Sequence, residues 1–267
     1  MTSEGESYYI APYYIALGDG RYESTVHAQG AWNPHEQHMA PVAGILAHSI
    51  QRFQPRPDLR MARISYDILG LIPDGEFEVV TTMLRPGHTI ELVQAELVSG
   101  GRTAVRATAW RLQRSDTSAI AGIEDERMPG PDELVEPVTL AEWPGGYIQS
   151  VEIRPVPGHA SGRGRAWLRT KHPLVDGEAF TAVARLVGLV DTSNGIATRV
   201  KPGPGSYLFP NVDLQIHLYR EPAGTWLGLQ NSVSFGPDGI GLTSTVLHDI
   251  TGPFGRAEQI LTIRQSS

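Results

Sequence analysis

Cysteine is absent from this chain of 267 residues. Disulfide bonds, thiolate metal sites and cysteine nucleophiles all need a thiol, so the sequence excludes each of these kinds of site. A chain without cysteine is compatible with a reducing compartment, although it does not require one.

Long apolar runs and basic clusters are also absent. No run approaches the length of a membrane-spanning helix, and the polar, aromatic N-terminus lacks the basic start and apolar core of a signal peptide. The net charge is −7, from 22 basic and 29 acidic side chains. No basic block favours a nucleic-acid partner. We therefore expect a cytoplasmic protein with no membrane span and no nucleic-acid partner.

Several familiar catalytic motifs are missing as well. Without a GxSxG sequence there is no nucleophile elbow of an α/β-hydrolase, and GxGxxG and P-loop sequences are absent too. His35 and His38 have a spacing that metal ligands can show, but no third ligand accompanies them in a motif. Two loop histidines with other roles are the simpler interpretation. The sequence predicts neither a metal nor a cofactor.

One stretch, GEAFTAVARLVGLVDTSN at 177–194, stands out from the rest. Its middle is apolar on nearly every side, which predicts a buried helix rather than a surface helix. The apolar run ends in Asp191, and three polar residues follow. A buried carboxylate is costly unless it is paired, hydrogen-bonded or used in chemistry. The alternative is that Asp191 and the polar residues only end the helix before Gly195.

The two halves of the chain follow one plan: two leading strands, a helix, a strand, a turn, a strand and a terminal hairpin. ISYDILGLIPDGEFEV at 64–79 matches VDLQIHLYREPAGTWLGL at 212–229 in pattern, including a Pro-x-Gly turn. Such a repeat indicates a duplicated unit in which one helix covers one face of a mostly antiparallel sheet. We predict an N-terminal unit, an acidic proline-containing linker and a C-terminal unit at 1–114, 115–142 and 143–267.

The limits of individual elements follow from the periodicity of apolar residues. The first helix is expected at 41–53. The leading strands are expected at 8–17 and 22–27 in the first half, and at 146–154 and 166–172 in the second half.

This α+β plan resembles the tandem, or double, hot-dog fold, in which each half is a curled antiparallel sheet wrapped around one long helix. QHMAPVAGILAHSI at 37–50 is similar to the helix-entry motif of the acyl-CoA thioesterase-like double hot-dog family, usually His-Gly-Gly-Pro before a helix rich in alanine and leucine. The segments 189–196, 209–229 and 239–264 resemble the C-terminal half of bacterial type II acyl-CoA thioesterases. The resemblance covers nearly the whole chain apart from the linker.

In those thioesterases an aspartate on the second helix, a threonine or serine on the next strand and a glutamine on the last strand activate a water. The resemblance places these roles on Asp191, Asn211 and Gln259, with asparagine in place of the hydroxyl residue. It implies that Asp191 is the general base and that the two amides hold the water. As alternatives, Gln259 could face outward from its strand and Asn211 could simply begin one.

The first-half motif implies a substrate-binding region at the start of the first helix. His38 matches the motif histidine, and Gly44 lies in the helical turn where backbone N–H groups favour negative charge. Met39 and Ala40 stand where the family has two glycines.

The resemblance implies an acyl-CoA thioesterase that hydrolyses a fatty or related acyl-CoA by direct attack of water. Two alternatives remain open. One is an enoyl-CoA hydratase on the same fold. The absence of an Asp/His pair from the sequence counts against this alternative. The other is a degenerate hot-dog protein that binds acyl-CoA without turnover, which the Met39-Ala40 and Asn211 departures motivate. Exposed sheet edges predict a homodimer or a higher homo-oligomer.

Overall fold

The computed structural model of the protein describes residues 9–134, 144–201 and 205–266. The helices are α1 (Met39–Arg52), α2 (Gly146–Ser150), α3 (Ala182–Val190) and α4 (Ser193–Ile196). The strands are β1 (Tyr14–Gly18), β2 (Arg21–Ser24), β3 (Leu59–Ile68), β4 (Glu76–Arg85), β5 (Ile90–Ser99), β6 (Arg102–Gln113), β7 (Val151–Ala160), β8 (Arg163–Thr170), β9 (Tyr207–Leu208), β10 (Asp213–Leu218), β11 (Leu227–Phe235), β12 (Ile240–Asp249), β13 (Gly252–Thr262) and β14 (Arg264–Gln265).

Twelve of these strands form one antiparallel sheet in the order β1-β2-β4-β5-β6-β3-β10-β13-β12-β11-β8-β7. Strands β3 and β10 pair in its middle, so the two halves of the chain share one continuous sheet. Helix α1 packs on strands of the first half and α3 packs on β11 of the second half. This architecture confirms the predicted α+β tandem hot-dog fold.

A pseudo-twofold axis relates the two halves and passes between Ser65 of β3 and Gln215 of β10, which are paired. The terminal hairpins β5–β6 and β12–β13 each carry a register irregularity at the same place, after Leu97 and after Leu247. Because a bulge shifts the pairing of every residue beyond it, its recurrence shows that the two hairpins have the same register. The structure therefore has the internal repeat that the sequence pattern predicts.

The two main helices cross where Gly44 of α1 meets Gly188 of α3. A Cβ atom on Gly44 would lie 3.1 Å from the Gly188 Cα atom, and one on Gly188 would lie 3.2 Å from the Gly44 Cα atom. Contacts this short leave room for hydrogen but not for a larger side chain on either helix. The close crossing brings the end of α3 beside the start of α1.

Helix α3 is shorter than the expected helix over 177–194. Thr181 begins it by accepting a hydrogen bond from the Ala184 N–H at 3.1 Å, which is the usual role of an N-cap threonine. Residues before this cap form a connection in which Glu178 contacts His48 of α1 at 3.0 Å. No helix within the described ranges is long and apolar enough to cross a membrane.

The predicted leading strands are partly wrong. β1 begins at Tyr14, and β2 ends at Ser24 and is followed by a short 3-10 helix, Val26–Ala28. In the second half, residues 146–150 form α2 instead of a strand. The backbone donors there are used outside a strand pair, since the Gln149 N–H donates to the Gly145 carbonyl at 3.3 Å and the Tyr147 N–H donates to the Gln29 carbonyl at 3.1 Å. Gly146 lies against the first half of the chain, where a Cβ on it would lie 1.8 Å from the Val26 carbonyl oxygen.

The described part of the predicted linker lies on the outer face of the sheet. Met128 packs with Val156, Trp167 and Trp226 in a small apolar cluster away from the main core, and the Trp167 indole donates to the Pro129 carbonyl at 2.7 Å. These contacts fix residues near 128 to the C-terminal half. The rest of the predicted linker, from residue 135, lies outside the described residues.

Candidate active site

Asp191 directly follows the last residue of α3 and is buried, with 6% of its surface exposed. Its Oδ1 atom accepts hydrogen bonds from Gln259 Nε2 and from Asn211 Nδ2, both at 2.8 Å. The three residues come from a helix end, from β13 and from the segment before β10. The fold therefore brings together the three residues that the resemblance singles out.

Both amide residues owe their positions to the sheet. Gln259 faces inward from β13 and has 1% of its surface exposed, so it is not an outward-facing strand residue. Asn211 precedes β10 and forms an isolated antiparallel bridge with Leu261. The central strands of the second half thus present both amides to the end of α3.

The amides are directed at the carboxylate, which differs from the expectation that both hold a water. Asn211 Nδ2 donates to Asp191 Oδ1 and to the Asp213 carbonyl at 3.0 Å, which uses both of its hydrogens. Gln259 Nε2 has one N–H left after its bond to Asp191. Within the described ranges, Gln259 thus retains one N–H that can donate to a water, and Asn211 retains its Oδ1 acceptor.

Burial raises the pKa of the Asp191 carboxyl to about 6, against the opposing effect of the hydrogen bonds from Asn211 and Gln259. Desolvation disfavours the charged form, whereas donors to the carboxylate favour it. The result is a carboxylate that is largely ionised at neutral pH and more basic than an exposed aspartate. A general base works best when its pKa lies near the operating pH.

His38 is the N-cap of α1, and its Nδ1 atom accepts a hydrogen bond from the Ala40 N–H at 3.1 Å. The same Nδ1 atom lies 3.5 Å from Asp191 Oδ2. Burial lowers the pKa of His38 to about 3, so the ring is neutral near pH 7. The short contact with Asp191 is therefore not an ion pair. With Nδ1 accepting, the ring proton lies on Nε2.

The first turn of α1 offers one free backbone donor beside His38. Of the first residues of the helix, Ala40 donates to His38 Nδ1 and Pro41 has no N–H. Among the described residues, the Met39 N–H has no acceptor. An N–H at a helix start attracts negative charge. Gly44 lies a turn further on, at the helix crossing, and lines neither cavity described below.

Two cavities meet at Asp191. The larger is a cleft of about 620 Å³ between the loop before α1, the end of β3 and the segment before β10. The smaller, of about 40 Å³, reaches Asp191 past α2 and α4. The residues that line both are Ala31, Trp32, His38, Asp191 and Asn211. The carboxylate is thus accessible to a small molecule despite its burial.

His35, the other histidine of the loop, does not join this site. It is exposed and lies 3.5 Å from the Asp74 carboxylate, while His38 is half-buried. Within the part of the chain that the structure describes, no group of three or more histidine, aspartate and glutamate side chains is arranged to hold a metal ion.

Family models match both halves of the chain. The acyl-CoA thioesterase N-terminal domain matches residues 28–112, and the acyl-CoA thioesterase C-terminal domain matches residues 131–263. The chain belongs to this acyl-CoA thioesterase family. No curated protein sequence matches it.

Solved structures share the fold of this family member at low sequence identity. A hot dog fold protein of unknown function from Alicyclobacillus acidocaldarius is 13% identical, with a TM-score of 0.74 over 94% of this chain and 96% of the other. The acyl-CoA thioesterase II TesB2 from Mycobacterium marinum is 18% identical, with a TM-score of 0.66 over 95% of each chain. The dehydratase domain of PpsC from Mycobacterium tuberculosis, in complex with C12:1-CoA, is 18% identical, with a TM-score of 0.51 over 96% and 98%.

Some residues at the site were not predicted from the sequence. Tyr147 of α2 packs against His38 with ring centroids 4.2 Å apart and the ring planes tilted by 34°, and its hydroxyl lies 2.7 Å from Thr192 Oγ1. Ser193 hydrogen-bonds to Gln259. The polar run after Asp191 was visible in the sequence, but nothing in it indicated which of its hydroxyl groups would face the site.

The pseudo-twofold axis maps the three central residues onto positions that carry no polar side chain. Register pairs relate Gln259 to Ala109 and Asn211 to Met61, and the helix crossing relates Asp191 to Ala47. All three counterparts are buried and apolar. In the described residues, this carboxylate site therefore lies in the second half only, and the equivalent place in the first half is part of the hydrophobic core.

Proposed function

We propose that the protein hydrolyses the thioester of a fatty or related acyl-CoA, with Asp191 as the general base. The observation that carries the proposal is a buried carboxylate that accepts two amide donors and lies where two cavities meet. Membership of the acyl-CoA thioesterase family supports the reaction class.

In the proposed reaction, Asp191 Oδ2 accepts a proton from a water whose oxygen attacks the thioester carbonyl carbon. A tetrahedral intermediate forms with negative charge on the former carbonyl oxygen. When it collapses, the carbon–sulfur bond breaks and the thiolate takes up the proton that Asp191 had accepted. The products are the free acid and the CoA thiol, and no covalent enzyme intermediate is needed.

The developing oxyanion needs donors that are already in place. The Met39 N–H and the His38 Nε2–H belong to adjacent residues at the start of α1, and His38 lines both cavities. Because His38 is neutral, it can donate without placing a fixed positive charge beside Asp191. We assign the oxyanion to this pair of donors.

The direct test is thiol release from a panel of acyl-CoAs of short to long chain, with the Asp191→Asn protein as control. We expect the wild type to release thiol from some of these acyl-CoAs and the Asp191→Asn protein to release none. Tight binding of acyl-CoA without thiol release on any chain length would replace the proposal with a binding function. Unchanged turnover in the variant would remove Asp191 from the mechanism.

The pH dependence of kcat/KM should report the ionisation of Asp191. Since burial raises the pKa of this carboxyl to about 6, kcat/KM is expected to be level above that pH and to fall about tenfold per unit below it. Histidine protonation does not complicate the profile, because the pKa of His38 is about 3. An acid limb centred near pH 4 would contradict the proposed environment of the base.

A second candidate is hydration of an enoyl thioester, since His38 and Asp191, which the sequence did not pair, lie 3.5 Å apart. Similarity of fold to a dehydratase domain is compatible with it. Against it, the facing Nδ1 atom already accepts the Ala40 N–H. Loss of the enoyl absorbance of crotonyl-CoA without thiol release would favour hydration over hydrolysis.

A further inference from the structure

Ser193 lies two residues after Asp191 and is fully buried. Its hydroxyl donates to Gln259 Oε1 at 2.6 Å, and Gln259 Nε2 in turn donates to Asp191 Oδ1 at 2.8 Å. The three side chains form one buried chain of hydrogen bonds that ends on the carboxylate. In the part of the chain that the structure describes, the side-chain link from Ser193 to Asp191 runs through Gln259.

The backbone of Ser193 is itself held in place. The Asn231 side chain, buried on β11, donates from Nδ2 to the Ser193 carbonyl. The first turn of α4 is thus attached to the inner face of the sheet next to the strand pair that carries Gln259. The Ser193 hydroxyl consequently has a fixed origin from which to reach the amide.

The orientation of the Gln259 amide decides how it affects Asp191. The oxygen and nitrogen ends of a carboxamide are nearly equal in shape but opposite in hydrogen bonding. With Nε2 toward Asp191, the amide stabilises the carboxylate. With Oε1 toward Asp191, it repels the carboxylate and instead accepts a hydrogen bond from the protonated acid.

We propose that Ser193 is a positioning residue for the proposed hydrolysis, which holds the Gln259 amide with its N–H₂ group toward Asp191. The inference rests on the proposed function for its catalytic consequence. The Ser193 hydroxyl donates to Oε1 and so pairs this buried oxygen when the N–H₂ group faces Asp191. Without it, that orientation leaves Oε1 buried and unpaired, which is unfavourable.

The neighbour across the strands does not take over the role of the Ser193 hydroxyl. Thr243 lies directly opposite Gln259 in the β12–β13 register, and its buried Oγ1 has no hydrogen-bond partner among the described residues. Thr243 therefore does not hold the Gln259 amide in the structure. Loss of the Ser193 hydroxyl removes the hydrogen bond that Oε1 accepts.

Two titratable side chains of the described residues lie beside Asp191. They are His38 at the start of α1, whose pKa burial lowers to about 3, and Tyr147 of α2, whose pKa burial raises well above its ordinary value. Glu36, whose pKa burial raises, and Arg264 line the larger cleft together with Asp191. Of Asp191, His38 and Tyr147, only Asp191 is expected to change its charge between pH 5 and 8.

The test is the pH profile of kcat/KM for Ser193→Ala. We expect the acid limb to move up by about one pH unit and kcat/KM at pH 6.5 to fall about tenfold. Ser193→Cys keeps a weak donor of similar shape, so its acid limb should lie between those of the wild type and Ser193→Ala. Ser232→Ala, an exposed serine on β11, is the matched control and should leave the profile unchanged.

A double-mutant cycle separates positioning from a merely structural role. In a Gln259→Ala background, Ser193→Ala is expected to have no further effect on the acid limb, because the amide through which it acts is gone. Additive effects, or a Ser193→Ala protein that loses activity with an unshifted limb, would overturn the inference.

A titration of Asp191 itself keeps the inference apart from the proposed function. Carbon-13 NMR of the aspartate carboxyl groups, assigned with Asp191→Asn, measures its pKa without turnover. A raised pKa in Ser193→Ala supports the positioning role even if no acyl-CoA is hydrolysed, in which case only the proposed function fails. An unchanged pKa in a protein that does hydrolyse acyl-CoA sinks the positioning role alone.

Discussion

Replacing Asp191 with asparagine is expected to lower kcat/KM by about 10²–10⁴-fold and to make the protein more stable. The loss of activity follows from the loss of the proposed general base. The gain in stability follows from its burial, because the carboxyl has a pKa near 6 instead of the ordinary 3.8. Two pKa units correspond to up to about 3 kcal/mol of folding free energy at neutral pH.

The asparagine fits the hydrogen bonds that the structure shows. Its Oδ1 atom can keep both amide donors, from Asn211 and Gln259. Its N–H₂ group would face His38 Nδ1, the acceptor that lies 3.5 Å from Asp191 Oδ2. The substitution therefore exchanges a contact between two acceptors for one between a donor and an acceptor.

The sign of the pH dependence follows from the direction of the shift. A carboxyl whose pKa is higher in the folded than in the unfolded state binds more protons when folded, so its penalty appears as pH rises. The stability difference between the variant and the wild type should be small near pH 4, grow up to about pH 6 and then stay level. Urea denaturation at pH 4.5, 6 and 8 measures it, and a variant less stable at every pH would contradict the assigned burial cost.

Replacing Gly44 with leucine is expected to lower the free energy of unfolding by about 3 kcal/mol or more. A Cβ atom on residue 44 would lie 3.1 Å from the Cα atom of Gly188, so the remaining atoms of a leucine would collide with α3. A helix backbone cannot move aside as a flexible side chain does. Chemical denaturation should show the loss, and the surviving folded protein should hydrolyse more slowly because separation of the helices moves Asp191 away from α1.

Gly122→Ala is the control for this substitution. Its Cβ atom would meet nothing within 4 Å, and the residue is exposed in the linker, so stability within about 0.5 kcal/mol of the wild type is expected. If Gly44→Leu were equally harmless, the two helices would not be held at the distance that the structure shows.

Much of the fold could be predicted from the sequence because the same pattern of strands, turns and helix occurs in both halves of the chain. The Pro-x-Gly turns and the paired hairpins repeat, and each repetition supports the interpretation of the other. Elements without that support were harder to place. The segment 146–150 looks like the start of a strand in the sequence, but in the structure it is a helical turn in which Gly146 lies against the backbone of Val26.

The sequence indicated which residues form the candidate site but not the hydrogen bonds between them. Asp191 was recognisable as a carboxylate at the end of an apolar helix, and the family resemblance added Asn211 and Gln259. Whether amides face a water or the carboxylate depends on distances that no spacing encodes. Ser193 was one of several hydroxyl residues in a polar run, and its contact with a strand 66 residues away is a property of the fold.

The central pairing of β3 with β10 has an evolutionary consequence. Two identical subunits that meet across such a strand pair must accept every substitution in both copies at once. A fused chain is free of that symmetry, so one copy can keep an acidic group while the other gives up charge for a tighter interior. Position 47 illustrates this divergence: it is a buried alanine, whereas its counterpart at 191 carries a carboxylate.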